Sequence, residues 1–315
     1  MKLFYSDHFV LPLPQGHRFP MSKYALLRQR LRASGLFTDA AFQVPAAAAD
    51  EDLLRVHCPD YLAALQTGTL ERSVERRIGF PWSKQMVERS RRSVGGTLGA
   101  ARTALAESLA VNLAGGTHHA FHDTGAGFCV LNDVVVAARW AQARAGVGQV
   151  LVVDLDVHQG DGTAALCRDD ASIFTFSVHG EKNYPARKQL SDLDVALADG
   201  TGDEDYLAAL ASHLPALVQR LEPDMAFYLA GADPFQGDRL GRLGLTKQGL
   251  ARRDQFVFDT LRRSGISTVV CMAGGYAEEV EDIVDIHAAT VIEALRQYQL
   301  VNGDNSPAGP GTPVL

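Results

Sequence analysis

Five short apolar runs, each followed closely by histidine, aspartate, glycine or tyrosine, most constrain how this chain can fold. The runs are residues 109–113, 150–155, 173–178, 225–230 and 268–272. Amphipathic helical patterns separate them, which predicts a single α/β domain with a mainly parallel sheet and helices on both faces. Because ligands of such sheets bind outside the carboxyl ends of the strands, we expect the polar residues to meet at that edge.

The length and composition of the chain are compatible with one such domain. The chain has 315 residues, of which 46% are hydrophobic and 21% charged, as in ordinary globular proteins. We expect one domain over residues 1–302 and a disordered tail over 303–315, where proline and glycine accumulate. A helix is predicted from a cap at Ser83 to about Leu109.

Charge and apolar patterning exclude several classes of protein. No apolar run approaches the roughly 18 residues of a membrane span, and Asp7 and His8 interrupt the region where a signal peptide needs apolar residues. The net charge of −7 argues against direct binding of nucleic acid. The four cysteines form no CxxC pair, so we expect neither disulfides nor a thiolate metal site, and we expect a cytoplasmic protein.

The segment VVDLDVHQGDG (152–162) offers candidate metal ligands. In an extended chain Asp154, Asp156 and His158 would share one face. A lone Asp-x-His is common at ordinary strand ends, but Asp233 follows another predicted strand and supplies a third ligand. Three protein ligands plus water are typical of catalytic zinc, although iron, cobalt and manganese remain alternatives.

A second group of residues is suited to proton transfer. His118 and His119 follow two glycines, and Asp154 and Asp161 could each orient one imidazole. Two such pairs beside a metal-activated water would form a general acid–base apparatus. Tyr276 follows another pair of glycines, where its phenol could stabilise an oxyanion, although an isolated Gly-Gly-Tyr is more often structural.

Taken together, these motifs resemble the zinc-dependent histone deacetylases of the arginase/deacetylase fold. The matching segments are GGTHHAFHDTGAGFCVLND (115–133), VLVVDLDVHQGDG (150–162), LAGADPFQGDRLG (229–241) and MAGGYA (272–277). VHCPDYL (56–62) and FSVH (176–179) extend the likeness, which covers roughly residues 3–294. Within the family, GDRLGRLGLTKQG (237–249) is most similar to class IV and its bacterial relatives.

The resemblance implies a role for each of these residues. Asp156, His158 and Asp233 would bind one zinc ion. His119, paired with Asp161, would be the general base and then the general acid. His118, paired with Asp154, would give electrostatic support, and Tyr276 would polarise the scissile carbonyl.

The resemblance also implies a substrate channel and a second cation. Gly127 and Phe128 would line an acyl-lysine channel with Tyr184 opposite, and Gly275 would also belong to this channel. A structural monovalent cation, usually potassium, would be held by Asp154, Ser177 and the main-chain carbonyls of Asp156, His158 and Val178. The segment 180–200 matches none of the family motifs named above, so the resemblance implies no role for it.

Three functions are compatible with these residues. The first is a lysine deacylase that removes acetyl or longer acyl groups from a protein or peptide. The second is a deacetylase of acetylpolyamines or other small acylated amines, and the third is a non-catalytic acyl-lysine binder. Residues 71–92 contain seven Arg or Lys against three Glu; such a stretch is usually a solvated helix face, but beside the pocket it would attract acidic substrate flanks.

Overall fold

The computed structural model describes residues 1–303, and one parallel sheet organises this part of the chain. Its strands are β1 (Leu3–Phe4), β2 (Phe42–Gln43), β3 (Leu109–Asn112), β4 (Val150–Asp154), β5 (Ile173–Gly180), β6 (Leu193–Leu197), β7 (Met225–Leu229) and β8 (Ser267–Cys271). Their order across the sheet is β2-β1-β3-β8-β7-β4-β5-β6, and every pair is parallel. The predicted mainly parallel sheet is therefore confirmed.

Helices cover both faces of this sheet, as predicted. They are α1 (Lys23–Ala33), α2 (Asp50–Leu53), α3 (Pro59–Thr67), α4 (Arg72–Ile78), α5 (Lys84–Glu107), α6 (Asp133–Ala145), α7 (Asp161–Cys167), α8 (Asp203–Leu221), α9 (Lys247–Arg263) and α10 (Val280–Asn302). One apolar cluster joins the sheet to α1, α8, α9 and α10, and a second joins its other face to α2–α7. Successive residues of β4 alternate between these clusters, because neighbouring strand side chains point to opposite faces.

All five predicted runs are strands, with ends within two residues of those expected. The short strands β1, β2 and β6 were not predicted, because the first two have only two residues each and β6 is mostly half-buried. His179, expected just after a strand, lies within β5. Apart from Gly303, the tail predicted at 303–315 lies outside the described residues.

The predicted helix is α5, which begins as expected. Ser83 Oγ accepts a hydrogen bond from the Met86 backbone N–H at 3.0 Å, which caps the first turn. The helix ends at Glu107, earlier than predicted, because Ser108 has a φ of 68°. None of the helices described is long and apolar enough to cross a membrane.

The sheet order brings the polar residues of the sequence to one place. The five predicted strands are contiguous, in the order β3-β8-β7-β4-β5, and all run in the same direction. Their carboxyl ends therefore form one continuous edge, as expected for a ligand site in an open parallel sheet. The loops that leave this edge carry the tandem histidines, the Asp-x-His segment, Asp233 and Tyr276.

Candidate active site

Asp156, His158 and Asp233 lie together at this edge. Each offers one ligand atom, and these three atoms lie within 4.8 Å of one another. His158 Nδ1 is 2.9 Å from Asp156 Oδ1 and 3.3 Å from Asp233 Oδ2. All three side chains are buried.

The loop after β4 does not continue as an extended chain, so that part of the sequence prediction was wrong. β4 ends at Asp154, whose Oδ1 accepts the Asp156 backbone N–H at 3.2 Å. Asp156 Oδ1 likewise accepts the His158 backbone N–H at 2.9 Å. Aspartates that bond the backbone two residues on form tight turns. These turns, rather than strand alternation, bring Asp156 and His158 beside Asp233.

The chemistry of these three residues fits a divalent cation. Asp233 Oδ2 is buried without a hydrogen-bond partner among the described residues, and burial raises the pKa of this carboxyl to about 7. Gly274 leaves the space that the carboxylates need, because a Cβ there would lie 1.8 Å from Asp233 Oδ2 and 2.6 Å from Asp156 Oδ2. Buried carboxylates are costly unless a cation compensates them. A metal ion with oxygen and nitrogen ligands would supply that charge.

Two buried histidine–aspartate pairs lie beside this cluster. His118 Nδ1 donates to Asp154 Oδ2 at 2.7 Å, and His119 Nδ1 donates to Asp161 Oδ1 at 2.6 Å. The two imidazole centroids are 4.1 Å apart. Burial lowers the pKa of His119 to about 4, with the neighbouring His118 acting in the same direction. Burial also acts to lower the pKa of His118, but nearby carboxylates, chiefly Asp154, outweigh it and raise the pKa to about 9.

Asp133, at the start of α6, fixes the turn that carries the tandem histidines. Its carboxylate accepts the backbone N–H groups of Gly116 at 3.1 Å and Thr117 at 2.7 Å. Gly116 has a φ of 74°, and a Cβ there would lie 2.7 Å from that of Ala273, so glycine is required for both reasons. Asp133 belongs to the motif at 115–133, but nothing in its spacing marked it as the residue that fixes this turn.

Aromatic rings line the approach to these residues. Gly127 and Phe128 both have positive φ, and a Cβ on Gly127 would lie 2.6 Å from His119 Cδ2. The Tyr184 ring is nearly perpendicular to that of His119, with centroids 4.8 Å apart. A cavity of about 250 Å³ opens here, and it is lined by Arg18, His119, Gly127, Phe128, His158, Tyr184, Leu240 and Tyr276. The structure thus brings Gly127, Phe128 and Tyr184 to one channel.

Tyr276 and Gly275 follow β8. Tyr276 lines this cavity, whereas Gly275, predicted as a channel residue, is not among its lining residues, because a Cβ on it would point at Ile283 and Ala232. The Tyr276 backbone N–H donates to Asp238 Oδ2 at 2.6 Å, and its ring centroid is 5.9 Å from that of Phe128. Burial raises the pKa of Tyr276 well above its usual range, which keeps the phenol protonated as a donor. Gly275, with a φ of 151°, accepts a 3.2 Å hydrogen bond from the buried Lys23 ammonium. Sequence reasoning missed Asp238 and Lys23.

The residues expected to bind a monovalent cation lie on neighbouring strands. Asp154 at the end of β4 is paired in register with Ser177 of β5. Ser177 Oγ also lies 2.9 Å from His179 Nδ1, and Val178 is fully buried beside it. Asp156 and His158 follow Asp154 in the loop after β4, and both the cation and the carbonyl ligands stay predictions.

The histone deacetylase domain matches residues 17–291 of the chain. The chain belongs to the histone deacetylase family. It is 46% identical over 284 residues to an uncharacterised protein of Picosynechococcus sp., covering 90% of this chain and 95% of that one. It is 30% identical over 312 residues to histone deacetylase 2 of Arabidopsis thaliana, covering 94% and 78% respectively.

Solved structures agree with this assignment at the level of the fold. The crystal structure of a histone deacetylase homologue from Aquifex aeolicus superposes with a TM-score of 0.79 at 23% identity, covering 97% of this chain and 85% of that one. The predicted arginase/deacetylase fold is therefore confirmed. As a member of the histone deacetylase family, the chain is a hydrolase of the deacetylase type.

In this histone deacetylase family member, Arg253 of α9 connects two of the loops that carry ligand candidates. Its fully buried guanidinium donates from Nη1 to the carbonyl oxygens of Gly231 at 2.7 Å and Leu155 at 3.3 Å. Asp254 pairs with the same guanidinium at 2.8 Å. Because arginine is common on exposed helix faces, no signal in the sequence marked this one as buried.

Proposed function

We propose that the chain is a zinc-dependent amidohydrolase that removes acetyl or longer acyl groups from lysine side chains. The observation that carries this proposal is that three buried ligand-type side chains and two histidine–aspartate pairs converge beside one cavity, which His119, His158 and Tyr276 line. Zinc held by Asp156, His158 and Asp233 would polarise the amide carbonyl and lower the pKa of a water molecule.

His119 is the proton carrier in this mechanism. Its Nδ1–H is committed to Asp161, which fixes the tautomer and leaves Nε2 for the substrate. Nε2 accepts a proton as water attacks the amide carbon, then returns that proton to the leaving amine nitrogen. His118 is oriented by Asp154 and lies next to the His119 ring, with centroids 4.1 Å apart, from where it adds electrostatic stabilisation.

Tyr276 stabilises the developing oxyanion. Its protonated phenol donates a hydrogen bond to the carbonyl oxygen as negative charge accumulates there. The backbone bond to Asp238 and the packing against Phe128 hold the ring in place, so little reorganisation is needed during the reaction. Phe128 and Tyr184 flank a passage suited to an unbranched alkyl chain, which favours an acylated lysine as the substrate.

Two further assignments accompany this function. We propose that potassium binds Asp154, Ser177 and the main-chain carbonyls of Asp156, His158 and Val178, where it would support the loop after β4. We also propose a cytoplasmic location, which the four free cysteines support because a reducing compartment keeps thiols unpaired.

Turnover of one lysine peptide carrying acyl chains from acetyl to long fatty acyl tests the function. We expect the Tyr276→Phe variant to fold normally but to lose turnover by about 10²-fold or more, as when an oxyanion donor is removed elsewhere. Tyr298→Phe is the matched control, because this tyrosine lies on α10 and its hydroxyl contacts Glu107, away from the channel. Near-normal turnover by Tyr276→Phe would contradict the assigned role.

Chelation and alternative substrates separate the remaining possibilities. Removal of the metal, or addition of a hydroxamate chelator, is expected to abolish turnover, and activity that survives both would contradict a metal mechanism. Faster turnover of acetylpolyamines than of peptides would support the small-amine alternative. Tight binding of an acetyl peptide without product, despite full zinc loading, would indicate a non-catalytic binder.

A further inference from the structure

Arg18 lies at the mouth of the candidate active site. Among the described residues that line the cavity above His119 and Tyr276, it is the one Arg, Lys, Asp or Glu. Arg18 is exposed, and the ion pairs of the described residues involve other arginines. Its guanidinium is therefore available to a molecule that enters the channel.

The residues on either side of Arg18 are fixed to the channel wall. His17 Nε2 donates to the Gly79 carbonyl oxygen at 2.9 Å, and the Phe19 backbone N–H donates to His17 Nδ1 at 3.1 Å. The rings of His17 and Phe19 pack against Phe128 with centroids 5.8 and 5.4 Å apart. Anchored neighbours reduce the conformational freedom of Arg18, so less entropy is lost when it binds a ligand.

Two other arginines, on different segments, each hydrogen-bond a residue that lines the same cavity. The carbonyl oxygen of Arg77, at the end of α4, accepts the Gly127 N–H at 3.0 Å. Burial raises the pKa of Tyr184 to about 12, and the charge of Arg77 acts against that shift, which indicates that the two side chains are near each other. On the other side, Arg239 Nε donates to the Tyr276 carbonyl oxygen at 3.1 Å. Both arginines are exposed.

The basic stretch at 71–92 is divided between two roles. Arg89 is buried and donates to the carbonyl oxygens of Ser6 and Phe9. Arg91 forms an ion pair with Asp50 of α2, and Arg92 forms one with Glu88 of α5. These three stabilise the fold. Residues 77–80, at and just after the end of α4, contact the channel wall at Gly127 and Phe128, and Arg77 is the charged residue among them.

The carboxylate of Asp238, near the mouth, is hydrogen-bonded to backbone N–H groups. Asp238 accepts the N–H groups of Tyr276, Leu240 and Gly241 at 2.6, 2.8 and 2.9 Å, and it does not line the cavity. The chain as a whole has a net charge of −7. Arg18 at the opening, with Arg77 and Arg239 beside residues that line it, therefore contrasts with the overall charge, and such local fields raise the concentration of ligands of opposite sign.

We propose that Arg18, with Arg77 and Arg239, binds carboxylates that flank the acylated lysine, so that acidic peptides are the preferred substrates. This proposal rests on the proposed lysine deacylase function and names its substrate class. Guanidinium groups bind carboxylates through paired hydrogen bonds, which adds geometric selection to attraction. The same charges disfavour acylated polyamines, which would bring further positive charge to the mouth.

Matched peptides test this substrate preference. Three acetyl-lysine peptides of equal length, flanked by Asp and Glu, by Ser and Ala, or by Lys and Arg, are compared for kcat/KM and, by fluorescence anisotropy, for affinity. We expect the acidic peptide to exceed the basic one by about tenfold at low salt, falling in 0.5 M salt because exposed charges are screened. Nε-acetyl-lysine with a free α-carboxylate, compared with its amide, shows whether a small anion suffices.

Charge reversal at one position locates the effect. Arg18→Glu is expected to remove or invert the ratio between acidic and basic peptides. Arg263→Glu is the control, because Arg263 is an exposed arginine at the end of α9, near the opposite edge of the sheet, and it should keep the wild-type ratio. Equal kcat/KM and affinity for all three peptides, or an unchanged ratio in Arg18→Glu, would overturn the proposal.

The two readouts distinguish this proposal from the proposed function. If the zinc-loaded chain bound the acidic peptide preferentially through Arg18 but turned over no acetyl peptide, the deacylase function would fail and the rim assignment would stand. If it hydrolysed all peptides at equal rates, the deacylase function would stand and the rim assignment would fail. A preference for the free α-carboxylate of acetyl-lysine without any peptide preference would also overturn the assignment to acidic peptides.

Discussion

Replacing Arg253 with methionine tests whether one buried guanidinium holds two loops of the candidate metal site. Its Nη1 donates to the carbonyl oxygens of Leu155 and Gly231, and its charge is paired with Asp254. Leu155 immediately precedes one proposed metal ligand, and Gly231 lies two residues before another. Loss of Arg253 should therefore reduce both the stability of the fold and the retention of metal.

The expected loss in the free energy of unfolding follows from the buried charge that the substitution leaves unpaired. Methionine fills much of the volume, but Asp254 then remains buried without its cation, and breaking such a pair from one side costs about 3–5 kcal/mol. Because domains of this kind are typically stable by about 5–15 kcal/mol, the variant should still fold at low temperature. Replacing both partners, as Arg253→Met with Asp254→Asn, should cost less than the single change, since no charge is then left unpaired and the asparagine oxygen still accepts from a buried hydroxyl.

Urea unfolding followed by circular dichroism measures the loss, and metal content after dialysis measures the effect on the site. Arg252→Met is the matched control, because this neighbouring arginine is on the surface and pairs with the exposed Glu204; its unfolding midpoint should change little. A free energy of unfolding within about 1 kcal/mol of wild type for Arg253→Met would refute the reasoning, since a buried pair would then have been broken at almost no cost.

Two further predictions concern the protonation of His57 and the space that Gly274 leaves beside the carboxylates. Burial lowers the pKa of His57 to about 4 from 6.5, so between these values the unfolded state binds more protons than the folded state. The His57 contribution to stability is full above pH 6.5 and falls by up to about 3 kcal/mol as pH drops to 4. Because other buried histidines such as His119 titrate in the same direction, His57→Gln should lower the slope of unfolding free energy against pH by this amount without removing it. Gly274→Ala should fold but retain less metal after dialysis, because its Cβ would displace two carboxylates, whereas Gly202→Ala, with open space around it, should match wild type.

The sequence predicted the sheet because its buried strands are recognisable as apolar runs. β4 and β7 are apolar up to their last residues and fully buried, so the pattern indicates both their presence and their approximate ends. β6 could not be recognised in the same way. It is an edge strand with partly exposed side chains, and its pairing with β5 depends on tertiary contacts rather than on composition.

The candidate site was predicted to the extent that its residues directly follow strands. The tandem histidines, Asp233 and Tyr276 lie at one edge because parallel strands end there. The turns through Asp154 and Asp156 were missed because side-chain bonds to the backbone replaced the expected extended chain. Residues that act from a distance in sequence were also missed. Arg253, for example, bonds a carbonyl 98 positions earlier, and no local pattern encodes such a contact.

Catalysis and selectivity are carried by different parts of the architecture. The proposed catalytic residues follow strands of the central sheet, where buried hydrogen bonds fix each side chain. The arginines at the mouth instead lie on the loop before α1, at the end of α4 and on the loop after β7, where they are exposed. Loops tolerate substitution better than the elements they connect. Relatives that keep the sheet-edge residues but change these three segments should therefore keep the chemistry while preferring substrates of different charge.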